Sequence, residues 1–212
     1  MNAYPTASCC NFAGTYLLRL VLMRHGKPAD EAQGICYGRL DVGLSDSGRA
    51  QIRSRISLLR FLAPDVIYTS TSTRATESAT EVEGLLNLQA QAVPELCEID
   101  FGAFEGLTYT ELERRFPREF RRWMESPTDT NFPGGEGFFD LKRRAIAFQR
   151  SLLEKHERKT VLIISHAGIN RVLLADALGL PDGHIFRIDQ TYAGVSVIDY
   201  LPDSVFVRLM NG

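Results

Sequence analysis

The sequence predicts a three-layer αβα sandwich around a mainly parallel sheet, in the 15–212 segment of a 212-residue chain. Three observations carry that expectation. Short, nearly continuous apolar runs suit strands buried on both faces of a sheet. These runs alternate with stretches of helical periodicity, the pattern of α/β layering. And three of the runs end directly in residues that carry chemistry, the place where open parallel sheets bind ligands.

The first run is Tyr16–Met23, read as the opening strand, and it ends in Arg24, His25 and Gly26. Residues 27–44 contain Pro28, Gly34, Gly38 and Gly43 and read as a long loop of the kind that is usually functional. Ser45 has the chemistry of an N-cap for one helix to about Leu62, with Ile52, Ile56, Leu59 and Leu62 on one face; Pro64 stops it. Asp65–Thr69 is a second strand and leads through Ser70–Ser72 into a helix to about Leu86. Gln91–Pro94 reads as a short third strand. Thr108 and Glu111 have capping-box spacing, and two further helices are expected at about 118–125 and 138–157. The 100–137 stretch is thus a helical insertion. Thr160–Ser165 is the clearest buried strand; it ends in His166, Ala167 and Gly168 and is followed by a helix to about Leu178. Tyr192–Tyr200 and Val205–Leu209 close the chain as an antiparallel pair.

Composition narrows the partners. Lys plus Arg number 24 against 26 Asp plus Glu, so no global basic excess draws the chain to nucleic acid. No stretch approaches the ~20 apolar residues that span a bilayer. Residues 1–14 lack the charged start and apolar run of a secretory signal and read as a flexible leader. Cys9, Cys10, Cys36 and Cys97 form no C-x-x-C pair, which suits a reducing cytoplasm rather than a zinc or disulfide framework. An anionic ligand must therefore be met by a few placed cations.

Of the four histidines, His156 sits among charged residues at a helix end and is expected to be solvated, and His184 follows Gly183 in a turn without a motif; neither is expected to carry function. His25 and His166 each end an apolar strand and each has a glycine within two residues. With Arg24, and with Arg74 past the second strand end, they outline a pocket for a tetrahedral oxyanion. The helix that follows His166 points its N-terminus into the same region. The Glu95–Leu107 stretch adds Glu95, Glu98, Asp100 and Glu105 among apolar residues, any of which can serve as a general acid. The chain has neither a G-x-x-x-x-G-K-[ST] loop nor a G-x-S-x-G elbow, which excludes P-loop and serine-hydrolase readings.

Taken together, these motifs resemble the histidine phosphatase, or phosphoglycerate mutase-like, superfamily over about residues 17–210. Leu22–Gly26 resembles the nucleophile motif. Gly38–Gln51 resembles the loop and helix that follow it. Tyr68–Ala79 resembles the second arginine motif, Leu96–Gly102 the acid motif, and Ser165–Gly168 the second histidine motif. The resemblance implies that His25 is the nucleophile, that Glu98 is the proton donor, and that Arg24, Arg74 and His166 bind the phosphoryl oxygens. Gly38, Ala167 and Arg121 are further expected substrate contacts. It implies no metal and no organic cofactor.

Departures within the superfamily favour a phosphatase over a mutase. Trp123 is followed by Met124 and Glu125 where the mutases have two arginines. The stretch before Gly134-Gly135-Glu136-Gly137 is short, and Pro28 and Glu31 replace the mutases' Ser and Asn. Glu98–Gly102 with Phe132–Glu136 is similar to the α-ribazole phosphatases, with broad-specificity phosphatases nearly as similar. The expected partner is a small-molecule phosphate ester, with a phosphoglycerate mutase or a catalytically silent phosphoester-binding module as the alternatives. The arginines at 114, 115, 118, 121 and 122 interleave with Glu111, Glu113, Glu119 and Glu125. They read as a solvated face, from which Arg121 or Arg122 can reach the far end of the substrate. Monomer and homodimer are equally compatible with the sequence.

Overall fold

The computed structural model describes residues 16–212. The leader expected at 1–14 lies outside the described residues. A six-stranded sheet runs β3-β2-β4-β1-β5-β6, with β1 Leu18–Arg24, β2 Val66–Thr69, β3 Ala90–Ala92, β4 Lys159–Ser165, β5 Val195–Leu201 and β6 Ser204–Leu209. The first four in that order are parallel; β5 runs antiparallel to β1, and β6 to β5.

Strand periodicity divides the core into two layers. Leu18, Leu20, Leu22, Val161 and Ile163 face one side. There they meet Leu141, Ala145 and Leu152 of α6 (Phe138–Lys155) and Ile169, Val172 and Leu173 of α7 (Ala167–Leu178). Val21, Met23, Ile67, Leu162 and Ile164 face the other side, against Ile52, Leu59, Ala79 and Val82. Those four come from α1 (Asp46–Ser54), α2 (Ile56–Leu62) and α3 (Thr73–Leu86). Full burial of each such side chain stabilises the fold by about 1.5–3 kcal/mol. Arg19 of β1 is matched in register by Asp199 of β5, and the two form an ion pair at 2.6 Å.

Several elements differ from expectation. The single helix expected from Ser45 to Leu62 is two, broken at Arg55 (φ −88°, ψ −5°), whose Nε reaches across to the carbonyl of Ala193 at 3.2 Å. Ser45 is the N-cap as expected, accepting from the Gly48 N–H at 3.0 Å. The third strand ends at Ala92, and Pro94 opens a short 3-10 turn instead of extending it. The final pair starts at Val195 rather than Tyr192, which leaves Tyr192 free of the sheet. Between β3 and α6 the chain carries α4 (Tyr109–Arg115) and α5 (Pro117–Glu125), and Thr108 and Glu111 form the expected capping box.

Candidate active site

Register brings the two histidines together. β1 and β4 are parallel neighbours, with Arg24 opposite Ser165, so the next residues, His25 and His166, leave the sheet side by side. The His25 N–H donates to the Ser165 carbonyl at 2.9 Å, and the imidazole centroids are 5.1 Å apart. β2 lies on the other side of β4, so Ser70 and Arg74 arrive at the same edge. Both histidines and Arg74 are at most 2% exposed.

Each side chain is held by backbone or hydroxyl groups rather than by counter-charges. His25 Nδ1 lies 2.8 Å from the Gly26 carbonyl. A carbonyl only accepts, so Nδ1 carries the proton and the Nε2 lone pair is left to the cleft. Burial, followed by the fields of Arg74 and Arg24, pushes the His25 pKa well below the usual imidazole value, so the ring is neutral. His166 is held low by the same burial and by Arg74, His25 and Arg24. Its Nε2 pairs with Ser70 Oγ at 2.7 Å, and its buried Nδ1 has no partner. Arg24 donates to the Gln190 carbonyl at 2.5 Å and stacks 3.9 Å over the Tyr192 ring. Arg74 donates to the carbonyls of Gly38 (2.6 Å) and Leu40 (3.0 Å). The Nε atoms of both arginines are buried without partners. The side chains that carry these three unpartnered nitrogens all line the cleft beside His25, a cradle of donors that an oxyanion can satisfy.

The acid segment closes the cleft from the other side. Glu98 is half-buried and accepts from the Ile99 N–H (2.9 Å) and from the Gly168 N–H in the first turn of α7 (3.0 Å). The α7 N-terminus therefore engages Glu98 through Gly168. A Cβ at Gly168 would collide with the Glu98 carboxylate, so the close approach requires glycine. Ser165 Oγ ties the end of β4 to the Leu96 carbonyl at 2.6 Å.

The cleft has a volume of about 270 Å³ and is walled by Arg24, His25, Arg74, Glu98 and His166 together with Tyr37, Phe101, Tyr109, Trp123, Arg171 and Phe186. An apolar side pocket of about 100 Å³ adjoins it through Phe101, Trp123 and Phe186, and Phe132 and Leu141 line its depth. Cys36 also lines the cleft, but burial and the Glu105 charge push its thiol up to about 12, so it stays protonated and does not compete as a nucleophile.

Five expected residues, Arg24, His25, Arg74, Glu98 and His166, thus converge. Gly38 contributes through its backbone: its carbonyl accepts from Arg74 and its N–H donates to Glu105 at 2.9 Å. Ala167 opens α7 beside His166. Arg121 is not brought in; it lies on the exposed face of α5, while Phe120 and Trp123 turn inward. That face is solvated because the aromatic side of the helix claims the core. Nor is His156 merely solvated, since its Nε2 bonds the Tyr68 hydroxyl at 2.9 Å.

Arg171 escaped sequence reasoning. It lines both the cleft and the side pocket, with its Nε anchored on the Ile188 carbonyl at 2.9 Å. Its only sequence signal is its position four residues after Ala167, on the same face of α7.

Comparison with known proteins agrees with this geometry. The chain is 33% identical over 195 residues to a bifunctional protein of Mycobacterium tuberculosis, a match covering 91% of this chain and 53% of that one. It thus spans about half the length of that relative. It is 30% identical to phosphoserine phosphatase 1 of Hydrogenobacter thermophilus, covering 86% of each. The α-ribazole phosphatase of Shigella flexneri superposes with a TM-score of 0.83 at 27% identity, covering 92% of this chain and 96% of that one. Residues 20–212 match the model of the histidine phosphatase superfamily, branch 1, and the chain belongs to that family.

Proposed function

We propose that this chain hydrolyses small-molecule phosphate monoesters through a phosphohistidine on His25. The observation that carries the reading is the neutral imidazole, its Nδ1 proton fixed on Gly26, in a cleft lined by Arg24, Arg74 and His166, each of which holds a buried nitrogen without a partner.

The chemistry follows in two displacements. His25 Nε2 donates its lone pair to phosphorus as the bond to the ester oxygen breaks, and Glu98 gives its proton to the departing oxygen. Glu98, now a carboxylate, takes a proton from water. The water oxygen attacks phosphorus, the P–N bond breaks, and its electron pair returns to Nε2. Arg24, Arg74 and His166 hold the equatorial oxygens, whose charge grows in flight. These donors are fixed before substrate arrives, so little reorganisation is needed.

The leaving-group side favours an alcohol with a flat apolar surface. Phe101, Trp123 and Phe186 offer stacking faces, and the adjoining pocket extends them. An α-ribazole 5′-phosphate, with its aromatic base, fits that description, which makes it our leading substrate. The described residues include no helix long and apolar enough to cross a membrane. Cys36 and Cys97 are buried free thiols, which suits the reducing cytoplasm.

The test is kcat/KM over a panel that includes α-ribazole 5′-phosphate, phosphoserine, p-nitrophenyl phosphate and 3-phosphoglycerate with and without its bisphosphate primer. Highest kcat/KM on the aromatic nucleotide supports the reading. A flat profile rejects it as the dedicated substrate, and primer-dependent isomerisation of 3-phosphoglycerate rejects the phosphatase itself.

A further inference from the structure

The Gly134-Gly135-Glu136-Gly137 motif has no place in the steps above, yet Glu136 is bonded to Asp100 of the acid segment and to Arg144 of α6. Its N–H donates to the Asp100 carbonyl at 2.8 Å, and its Oε2 accepts from the Asp100 N–H at 3.0 Å. It therefore grips from both sides the residue two positions beyond Glu98. Arg144, projecting from α6, forks onto the same carboxylate, with Nε to Oε1 at 3.0 Å and Nη2 to Oε2 at 2.9 Å. The remaining Arg144 donors go to three carbonyls of the acid segment: Glu95 (2.7 Å), Cys97 (2.5 Å) and Glu98 itself (3.0 Å). All five guanidinium N–H groups are thus spent on Glu136 or on the backbone that carries Glu98. Burial opposes ionisation of Glu136, but the Arg144 fork prevails and holds its carboxyl below the usual range.

This segment needs such a device. Residues 97–101 belong to no strand or helix, so their backbone groups have no ladder to join. The Glu98 side chain itself is held by two backbone N–H groups, and its aim follows its own backbone. His25 and His166, by contrast, hang on paired strand ends.

We propose that Arg144 and Glu136 are the positioning pair of Glu98, setting the reach of its carboxyl to the leaving oxygen; this rests on Glu98 being the acid. Neither residue touches substrate. Loosening the pair weakens proton delivery and leaves phosphate binding and His25 attack in place.

Leaving-group dependence separates this role from a merely structural one. Nitrophenolate departs without a proton, whereas an alkoxide does not. The experiment measures kcat/KM for p-nitrophenyl, phenyl and simple alkyl phosphates. This constant ends at leaving-group departure, so slow dephosphorylation does not mask it. Glu98→Gln sets the reference, with a loss of about 100-fold on the alkyl ester and only a few-fold on the nitrophenyl ester. Glu136→Gln keeps the shape but turns an amide donor toward Arg144. It is expected to lose about tenfold on the alkyl ester and less than about threefold on the nitrophenyl ester. Arg144→Ala loses more, and Arg144→Lys recovers part. If Arg144→Ala fails to fold, Glu136→Gln decides. A uniform loss across the series in Glu136→Gln, or no loss, overturns the positioning role while the Glu98 reference stands. If Glu98→Gln itself shows no slope, the acid assignment fails first.

Discussion

His25, His166 and Arg74 are at most 2% exposed; the two histidines leave the ends of paired strands, and Arg74 stands in the first turn of α3 just past the neighbouring strand end. Glu98, Trp123 and Arg171 are half-buried and come from a segment between elements and from two separate helices. In the proposed reaction the first group meets the phosphoryl group that every phosphate monoester shares, while the second faces the leaving group, with Glu98 protonating it and Trp123 and Arg171 contacting the rest of the alcohol. A rigid sheet edge suits a tetrahedral target that never changes shape, since misplaced donors lose their electrostatic effect. A wall assembled from loops and helices can vary without disturbing that edge.

Variants on the two sides should therefore fail differently. The largest effect on the phosphoryl side after the nucleophile belongs to Arg74. Arg74→Lys removes the planar fork and one of the cradle nitrogens, and kcat/KM is expected to fall by roughly 10²–10³. The fall should be the same on nitrophenyl and α-ribazole esters; a substrate-selective fall would blur the division. On the opposite wall, Trp123→Ala should raise KM for an aromatic nucleotide by about tenfold through lost stacking while sparing a small alkyl phosphate. Arg121→Ala, two residues away but facing solvent, should change neither.

Burying two neutral imidazoles also links the phosphoryl side to stability. Both folded-state pKa values are depressed, so below the unfolded value of about 6.5 the unfolded chain binds protons that the folded chain refuses. Their contribution is complete above that pH and is lost as pH falls toward the folded values. Tm should decline on acidification from pH 7 to 5, and the decline should be shallower in His166→Gln. An equal slope in that variant would show that His166 is not held neutral.

The sheet-borne half of the site was legible because its residues are covalent neighbours: Arg24, His25 and Gly26 follow one apolar strand, and His166 follows another. Parallel pairing then turns strand ends into one edge. The other half depends on contacts between distant parts of the chain. Arg144 lies 46 residues from Glu98, and Glu105 lies 67 from Gly38, so no local spacing announces either. The sequence marks Trp123 through the residues that follow it, whereas Trp123 itself lines the cleft. Helical periodicity likewise continued through Arg55, where a side-chain bond to the Ala193 carbonyl accompanies a break that apolar spacing does not record. His156 looked solvated because its partner, Tyr68, is 88 residues away.

In the proposed reaction His25, held neutral and aimed by Gly26, becomes covalently phosphorylated. Rapid quenching after mixing with radiolabelled substrate tests it most directly, in the Glu98→Gln variant, where loss of the base slows the second displacement. One labelled site per chain is expected at His25, stable to alkali and labile to acid, with no label or turnover once His25→Ala is added. Label on another residue, or turnover that survives His25→Ala, would contradict it.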